Sequence, residues 1–271
     1  MIMQPHRNLP TFDRFTWIAL LALAALLFGW LYYTPPGLLG KADAVGYAVC
    51  HRIEARSFLF GERQLPLCAR CSGMYLGALT AIIIQFFHGR RSGFPPLKFL
   101  IVLGIFVIFF GIDGVNSYLH LFPNMPGIYE PNNFLRLLTG TGMGVGMGAI
   151  LVPLLHQTYW SHCDPSPIIH EWRVFLPILA ASLVVSGLLL TGNALLLYPL
   201  AILSAATVLL ILGLIYSMVW MMLFKKDNTF RAWKEIFGYL AAGFALAIFQ
   251  IFAIDIVRFY FTNSWNGFNF L

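Results

Sequence analysis

A chain of 271 residues with 59% hydrophobic and only 10% charged side chains cannot fold as a water-soluble globule, whose charged fraction is about 25%. A formal net charge of +6 in so apolar a chain fits basic loops lying against an anionic membrane surface and makes no case for nucleic-acid binding.

The first apolar run, Phe15–Tyr33, follows Arg7 and Arg14. It is long for a signal-peptide core and lacks a small-x-small cleavage pattern before Thr34-Pro35-Pro36-Gly37, so it reads as a retained transmembrane helix. A polar stretch then carries Cys50, His51, Cys68 and Cys71. Six further runs reach or approach the roughly 20 residues that cross a bilayer, at about 72–88, 97–119, 133–155, 174–192, 195–224 and 236–260. Trp17, Trp30, Trp172, Trp220 and Trp233 fall near the ends of these runs, as an interfacial aromatic belt requires. The expected fold is an all-α polytopic bundle of about seven transmembrane helices. It divides into an N-terminal helix and connector (1–44), a cysteine-motif membrane domain (45–155) and a C-terminal three-helix extension (156–271).

Basic residues orient it. One set of loops holds Arg7, Arg14, Arg90, Arg91, Lys98, Arg173, Lys225, Lys226, Arg231 and Lys234, ten in all, whereas the other holds five, namely Lys41, Arg52, Arg56, Arg63 and Arg70. The richer set belongs to the cytoplasm, which puts the N-terminus inside and the cysteine loop on the outer face of a bacterial inner membrane. The five basic residues of that loop either bind an anionic headgroup or substrate phosphate, or pair with Asp43, Glu54 and Glu62.

This topology gathers polar groups into one layer. Asp113, Asn116 and Ser117 lie at the outer end of the third run, Asn132, Asn133 and Arg136 at the outer start of the fourth, and Asp255 and Arg258 at the outer end of the last. Ionisable residues in membrane helices are expensive and mark function. Asp255 and Arg258, three residues apart, share a helix face and read as a structural ion pair. Asp113 and Arg136, flanked by polar neighbours, read as a functional pair.

The cysteines permit three chemistries. Cys-x-x-Cys with a further Cys or His matches tetrahedral zinc spacing, so Cys68 and Cys71 would ligate with Cys50 or His51. The same Cys-x-x-Cys at a helix N-terminus, with Arg70 between the thiols, equally suits a low-pKa redox pair exchanging electrons with quinone. A static disulfide is the third reading. The loop 156–173 adds His156, His162, Cys163, Asp164 and His170, whose irregular spacing reads as interfacial residues and not as a second metal site. Within TGTGMGVGMG, Gly140, Gly144 and Gly148 form one small-residue ridge and Gly142 and Gly146 another, both suited to close helix packing. A dinucleotide-binding loop would need a preceding strand that mid-membrane does not offer.

The string CHRIEARSFLFGERQLPLCARCSGMYLG, Cys50 to Gly77, resembles a family of bacterial and archaeal membrane proteins, the domain of unknown function 2085. Asp113-Gly114 and Asn132-Asn133-Phe134-Leu135-Arg136-Leu137-Leu138-Thr139-Gly140 extend the resemblance over residues 45–150. In the family pattern Asp-Gly is followed closely by Gln, whereas Asn116 and Ser117 occupy that neighbourhood here. The resemblance groups these residues and implies no reaction.

The expected site therefore has Cys50, His51, Cys68 and Cys71 on zinc, with Asp113, Arg136, Arg52 and Arg56 in the reactive layer. Arg70, Asn116, Asn132 and Asn133 would contact an anionic lipid or prenyl-phosphate substrate. The alternatives are a quinone-linked thiol–disulfide oxidoreductase, and a non-enzymatic transporter or accessory subunit whose zinc knuckle docks a protein partner. Membrane lipids surround the chain in each case.

Overall fold

The computed structural model describes residues 13–122 and 127–267; Arg7, counted above toward the orientation, lies outside them. Among the described residues eight α-helices form, and local chemistry sets their ends. Helix α1 (Arg14–Tyr33) opens on Asp13, whose carboxylate accepts from the Thr16 N–H at 2.9 Å, and closes at Thr34 before two prolines. Helix α3 (Ala69–Phe86) opens on Cys68, and α4 (Leu97–Leu119) follows Pro95-Pro96. Helix α5 (Asn133–Tyr159) is capped by the Asn132 side chain, which accepts from the Leu135 N–H at 2.8 Å. Helix α6 (Trp172–Leu190), α7 (Ala194–Leu223) and α8 (Trp233–Thr262) complete the bundle, the last ending on Asn263 in the left-handed conformation.

Seven of these helices are long and apolar enough to cross a membrane. The one that sequence reading passes over is α2 (Gly37–Val49), only 13 residues long. At 1.5 Å per residue it reaches about 20 Å, short of a 30 Å hydrocarbon core. It lies packed against α7 and α8, with Gly40, Ala42, Ala44, Val45, Gly46 and Tyr47 buried.

The bundle is organised around α5, which packs against α3, α4, α6 and α7, while α1 runs along α8. The glycine ridges explain the centre. A Cβ at Gly140 or Gly144 would overlap the carbonyl oxygens of Arg70 and Met74, and one at Gly148 would stand 2.7 Å from the Ala81 Cβ. From the other side, a Cβ on Gly77 would meet the Thr141 carbonyl at 2.7 Å. Backbone therefore lies on backbone along the α3–α5 seam. Gly142 and Gly146 face α4 instead, toward Phe106 and Leu103.

Each end of the bundle is closed by short non-helical structure. At the cysteine end, β1 (Leu59–Phe60) and β2 (Arg63–Gln64) pair antiparallel about Gly61, whose φ of 61° suits a tight turn. At the other end, β3 (Arg91–Gly93) pairs in parallel with β4 (Asp164–Pro167). There His156 Nδ1 meets the Arg91 carbonyl at 2.8 Å, the Cys163 thiol donates to the His156 carbonyl at 3.3 Å and Asp164 pairs with Arg91 at 3.7 Å. These contacts tie the closure together.

Candidate metal and anion site

Three thiols meet where α2 ends and α3 begins. Cys50 is the C-terminal cap of α2, Cys68 the N-terminal cap of α3, and Cys71 lies in the first turn of α3. Their sulfurs all lie within 4.8 Å of one another, and among the described residues this is the group of His, Cys, Asp and Glu ligand atoms close enough to hold a metal ion. All three are free thiols, and Cys50 and Cys68 are buried. Gly46 makes the meeting possible: a Cβ there would overlap the Pro66 carbonyl, so α2 seats directly on the 65–68 segment. The Cys50 sulfur accepts from the Cys68 N–H at 3.4 Å. From α8, Arg258 Nη1 donates to the Cys50 carbonyl at 2.9 Å, and the guanidinium carbon lies 3.9 Å from the centre of the Tyr47 ring. Hydrogen bonds from the Cys68 and Cys71 thiols hold Cys50 well below the ordinary thiol pKa, and as a donor to Cys50 the Cys68 thiol is pushed up. The pocket thus favours negative charge on the Cys50 sulfur and disfavours it on Cys68.

His51 stands outside this trio. Its Nδ1 accepts from the Ile53 N–H at 3.1 Å, so the local turn uses that nitrogen. Burial keeps the imidazole neutral against the opposing pull of Cys50, and Arg56, Arg70 and Arg136 act in the same direction as burial. His51, expected as a ligand alongside or in place of Cys50, thus lies beside three arginines and outside the group of three sulfurs.

Those arginines converge on one residue. The Ser117 hydroxyl accepts from Arg70 Nη2 at 2.8 Å and from Arg136 Nε at 3.3 Å, and the Ser117 carbonyl accepts from Arg56 Nη2 at 2.7 Å. The expected Asp113–Arg136 pair is corrected: the partner of Asp113 is Arg70, which donates from Nε at 2.8 Å and also forms the Nη2 ion pair. The reason is the α3–α5 seam, which brings Arg70 up beside α4. Tyr129 donates to the other Asp113 oxygen at 2.6 Å, and the Thr139 hydroxyl lies 3.4 Å from Asp113 Oδ2. Asp113 lies outside the thiol trio and holds Arg70. Arg136 donates to Asn133 Oδ1 at 2.9 Å, and among the described residues neither Arg136 nor Arg56 has a carboxylate partner. Three guanidiniums against one carboxylate leave an excess of two positive charges around Ser117, with Arg136 buried and Arg56 and Arg70 half-buried.

Other expected residues serve the scaffold. Arg52 is buried against Asp43 at 2.9 Å, and Arg63 takes the other Asp43 oxygen at 2.6 Å; the pairing with Asp43 removes Arg52 from the reactive layer. Asn116 fastens the loop before α5, accepting from the Ile128 N–H at 2.7 Å and donating to the Tyr129 carbonyl at 2.8 Å. Asn132 caps α5, and Asn133 bridges Arg136 to the Ala55 and Ser57 carbonyls at 3.3 Å each. These contacts tie down the loop before α5, the start of α5 and Arg136. In α8, Asp255 accepts from Trp30 Nε1 at 3.0 Å while Arg258 turns to the 47–50 carbonyls, so the expected intrahelical pairing gives way to separate partners on α1 and α2.

Sequence reasoning missed Tyr129 and Thr139. Tyr129 sits in a loop with no helical period to point it inward, and burial together with the Asp113 hydrogen bond pushes its phenol up to about 12. Thr139 was visible as the polar residue one turn beyond Arg136 on an apolar helix.

A polytopic helical membrane protein with a three-cysteine cluster under an arginine layer is the class this arrangement defines. The chain belongs to the DUF2085 family, described as a predicted membrane protein, which it matches over residues 50–150. An uncharacterized protein of Methanothermobacter thermautotrophicus is 34% identical over 110 residues, covering 40% of this chain and 88% of that protein. An uncharacterized protein of Methanocaldococcus jannaschii is 29% identical over 115 residues, covering 42% of this chain and 68% of its own length. No solved structure matches. The matched segment runs from Cys50 into α5, as far as residue 150, and so contains the three cysteines, Arg56, Arg70, Asp113 and Arg136.

Proposed function

We propose that Cys50, Cys68 and Cys71 hold a zinc ion and that Arg56, Arg70 and Arg136 hold an anionic group beside it, on a lipid or prenyl-phosphate substrate. The observation that carries this reading is the juxtaposition of three sulfurs within 4.8 Å with three guanidiniums gathered on Ser117. Three protein ligands match a zinc site with one position left for water or substrate. A zinc ion so bound supplies Lewis-acid polarisation of an oxygen. The chain's own residues do the rest. The arginines neutralise charge on the anion, Asp113 fixes the Arg70 guanidinium and is itself held by Tyr129, and Asn133 fixes Arg136. The basic-residue bias of the opposite loops supports an outward-facing site in the cell membrane.

Elemental analysis of the purified protein tests the metal. The expected result is about one zinc per chain, lost in Cys68→Ser. Thiols that alkylate only after reduction, with no bound metal, would replace this reading with thiol–disulfide exchange. Wild-type phosphate binding by Arg136→Ala would remove its anion half.

A further inference from the structure

One short segment of chain joins the thiol cluster to the arginine layer. It leaves the cluster at Cys50 and delivers Arg56, whose Nη2 donates to the Ser117 carbonyl at 2.7 Å. His51 sets its course: Nδ1 accepts from the Ile53 N–H at 3.1 Å. This is the bond of an Asx turn, from a side-chain acceptor to the N–H two residues on, made here by an imidazole. A backbone N–H aimed at Nδ1 needs a lone pair there, so the ring carries its proton on Nε2. Inside the turn Arg52 has a φ of 51°, a left-handed conformation that a residue with a Cβ keeps only where its surroundings hold it. Gln64 Nε2 holds the Arg52 carbonyl at 2.9 Å, and Asp43 holds its guanidinium at 2.9 Å. Ile53 then opens the single 3-10 turn Glu54–Arg56, and the Ser57 hydroxyl closes it by donating to the Ile53 carbonyl at 2.9 Å.

The three arginines are not held alike. Arg70 belongs to α3, whose backbone lies on α5, and Asp113 fixes its guanidinium. Arg136 belongs to α5 and is fixed by Asn133. Arg56 has only a three-residue turn beneath it and no carboxylate partner among the described residues. Its placement depends on the two ends of the segment. Asn133 ties the far end through the Ala55 and Ser57 carbonyls at 3.3 Å each. At the near end the Cys50 sulfur accepts from the Cys68 N–H at 3.4 Å, a weak tie that an ion shared by three sulfurs replaces with a fixed anchor.

We infer that His51 is a positioning residue: its turn onto the Ile53 N–H transmits the anchoring of Cys50 to Arg56, so that a metal ion on the thiols and a phosphate group on the arginines raise each other's affinity. The inference rests on the metal and anion site proposed above and adds how its two halves are coupled. Linkage makes the effect reciprocal, with one factor describing both directions. The path runs through Arg56 because Arg70 and Arg136 are set by their helices and by Asp113 and Asn133.

The test uses the reduced full chain in neutral detergent, with cadmium and inorganic phosphate as the probes. Saturating cadmium should tighten phosphate binding about tenfold, and saturating phosphate should tighten cadmium binding by the same factor. His51→Ala should still bind cadmium and should lose the factor. His51→Asn puts an amide oxygen where Nδ1 accepts and should restore it, because asparagine makes the same turn. His51→Gln carries its oxygen one bond further out and should behave as His51→Ala does. Arg56→Gln should lose the factor too. The factor is the readout, and a loss of stability alone would leave it unchanged. A full factor in His51→Ala or Arg56→Gln means that the anion meets the metal directly and overturns the inference. Equal behaviour of His51→Asn and His51→Gln overturns it as well, and so does loss of cadmium binding in His51→Asn, which would make the imidazole a ligand. If wild type binds both probes and neither affects the other, the coupling fails and the site proposed above stands. If wild type takes up no cadmium or no phosphate, that reading fails with it.

Discussion

Gly140 offers a direct test of how the fold builds the site. In wild type it has no side chain to separate α5 from α3, and a Cβ there would overlap the Arg70 backbone carbonyl. A backbone atom in a helix cannot rotate away, so Gly140→Ala must push the helices apart. Overpacking of this kind costs about 1–3 kcal/mol, against a gain of about 1 kcal/mol when Ala replaces Gly within a helix. Gly146, on the same helix, is the internal control: its added Cβ would find only the Leu103 Cδ2 at 4.0 Å, an ordinary contact. Gly146→Ala should keep the propensity gain. The two variants should then differ in stability by about 1–3 kcal/mol, read as thermal unfolding in detergent at about 2–4 °C for each kcal/mol. Because the seam also sets Arg70 beside Asp113, Gly140→Ala should weaken phosphate binding while Gly146→Ala should not. Equal melting temperatures and equal phosphate affinities would refute the backbone-on-backbone account of the site.

Further outcomes follow from the same geometry. Asp113→Asn leaves Arg70 buried without its carboxylate and should destabilise the protein by about 3–5 kcal/mol, measured by chemical or thermal unfolding. Tyr129→Phe removes a partly exposed hydrogen bond to Asp113 and should cost about 1 kcal/mol near neutral pH. Since the folded phenol titrates at about 12 and its ordinary value is 10.0, wild type holds that advantage below pH 10 and loses it as pH rises toward 12. The stability difference between the two proteins should close over that window, and a constant difference there would count against the assignment. Gly46→Ala should lift α2 off Pro66 and lower zinc content with little change in helicity, as circular dichroism beside elemental analysis would show.

The membrane architecture was legible because bilayer thickness converts directly into runs of apolar residues, and each expected run overlaps an observed helix. The convergence of polar groups was legible for a related reason: once helices alternate direction, Arg70, Asp113 and Arg136 must fall at one end. The short helix α2 was not legible, because Gly37, Gly40, Lys41, Asp43 and Gly46 interrupt its apolar pattern and its burial is imposed by α7 and α8. Pairing within the polar layer was equally hidden. Asp113 has two arginines near it, and which one it takes depends on how closely two glycine-lined helices approach, a distance that spacing along the chain does not encode. His51 follows Cys50 directly in the chain, yet its ring is not among the ligand atoms that gather within 4.8 Å of one another, because the turn at 51–53 directs its Nδ1 to the Ile53 N–H.

Cys50 provides the sharpest test, since it joins Cys68 and Cys71 only through the fold. Loading the purified chain with cadmium and titrating the thiolate-to-metal charge-transfer band counts the sulfurs on the ion. Three thiolates in wild type, falling to two in Cys50→Ser with the helical content unchanged, is the predicted result. A band of the same intensity in wild type and Cys50→Ser, or no cadmium uptake by the reduced protein, would contradict it.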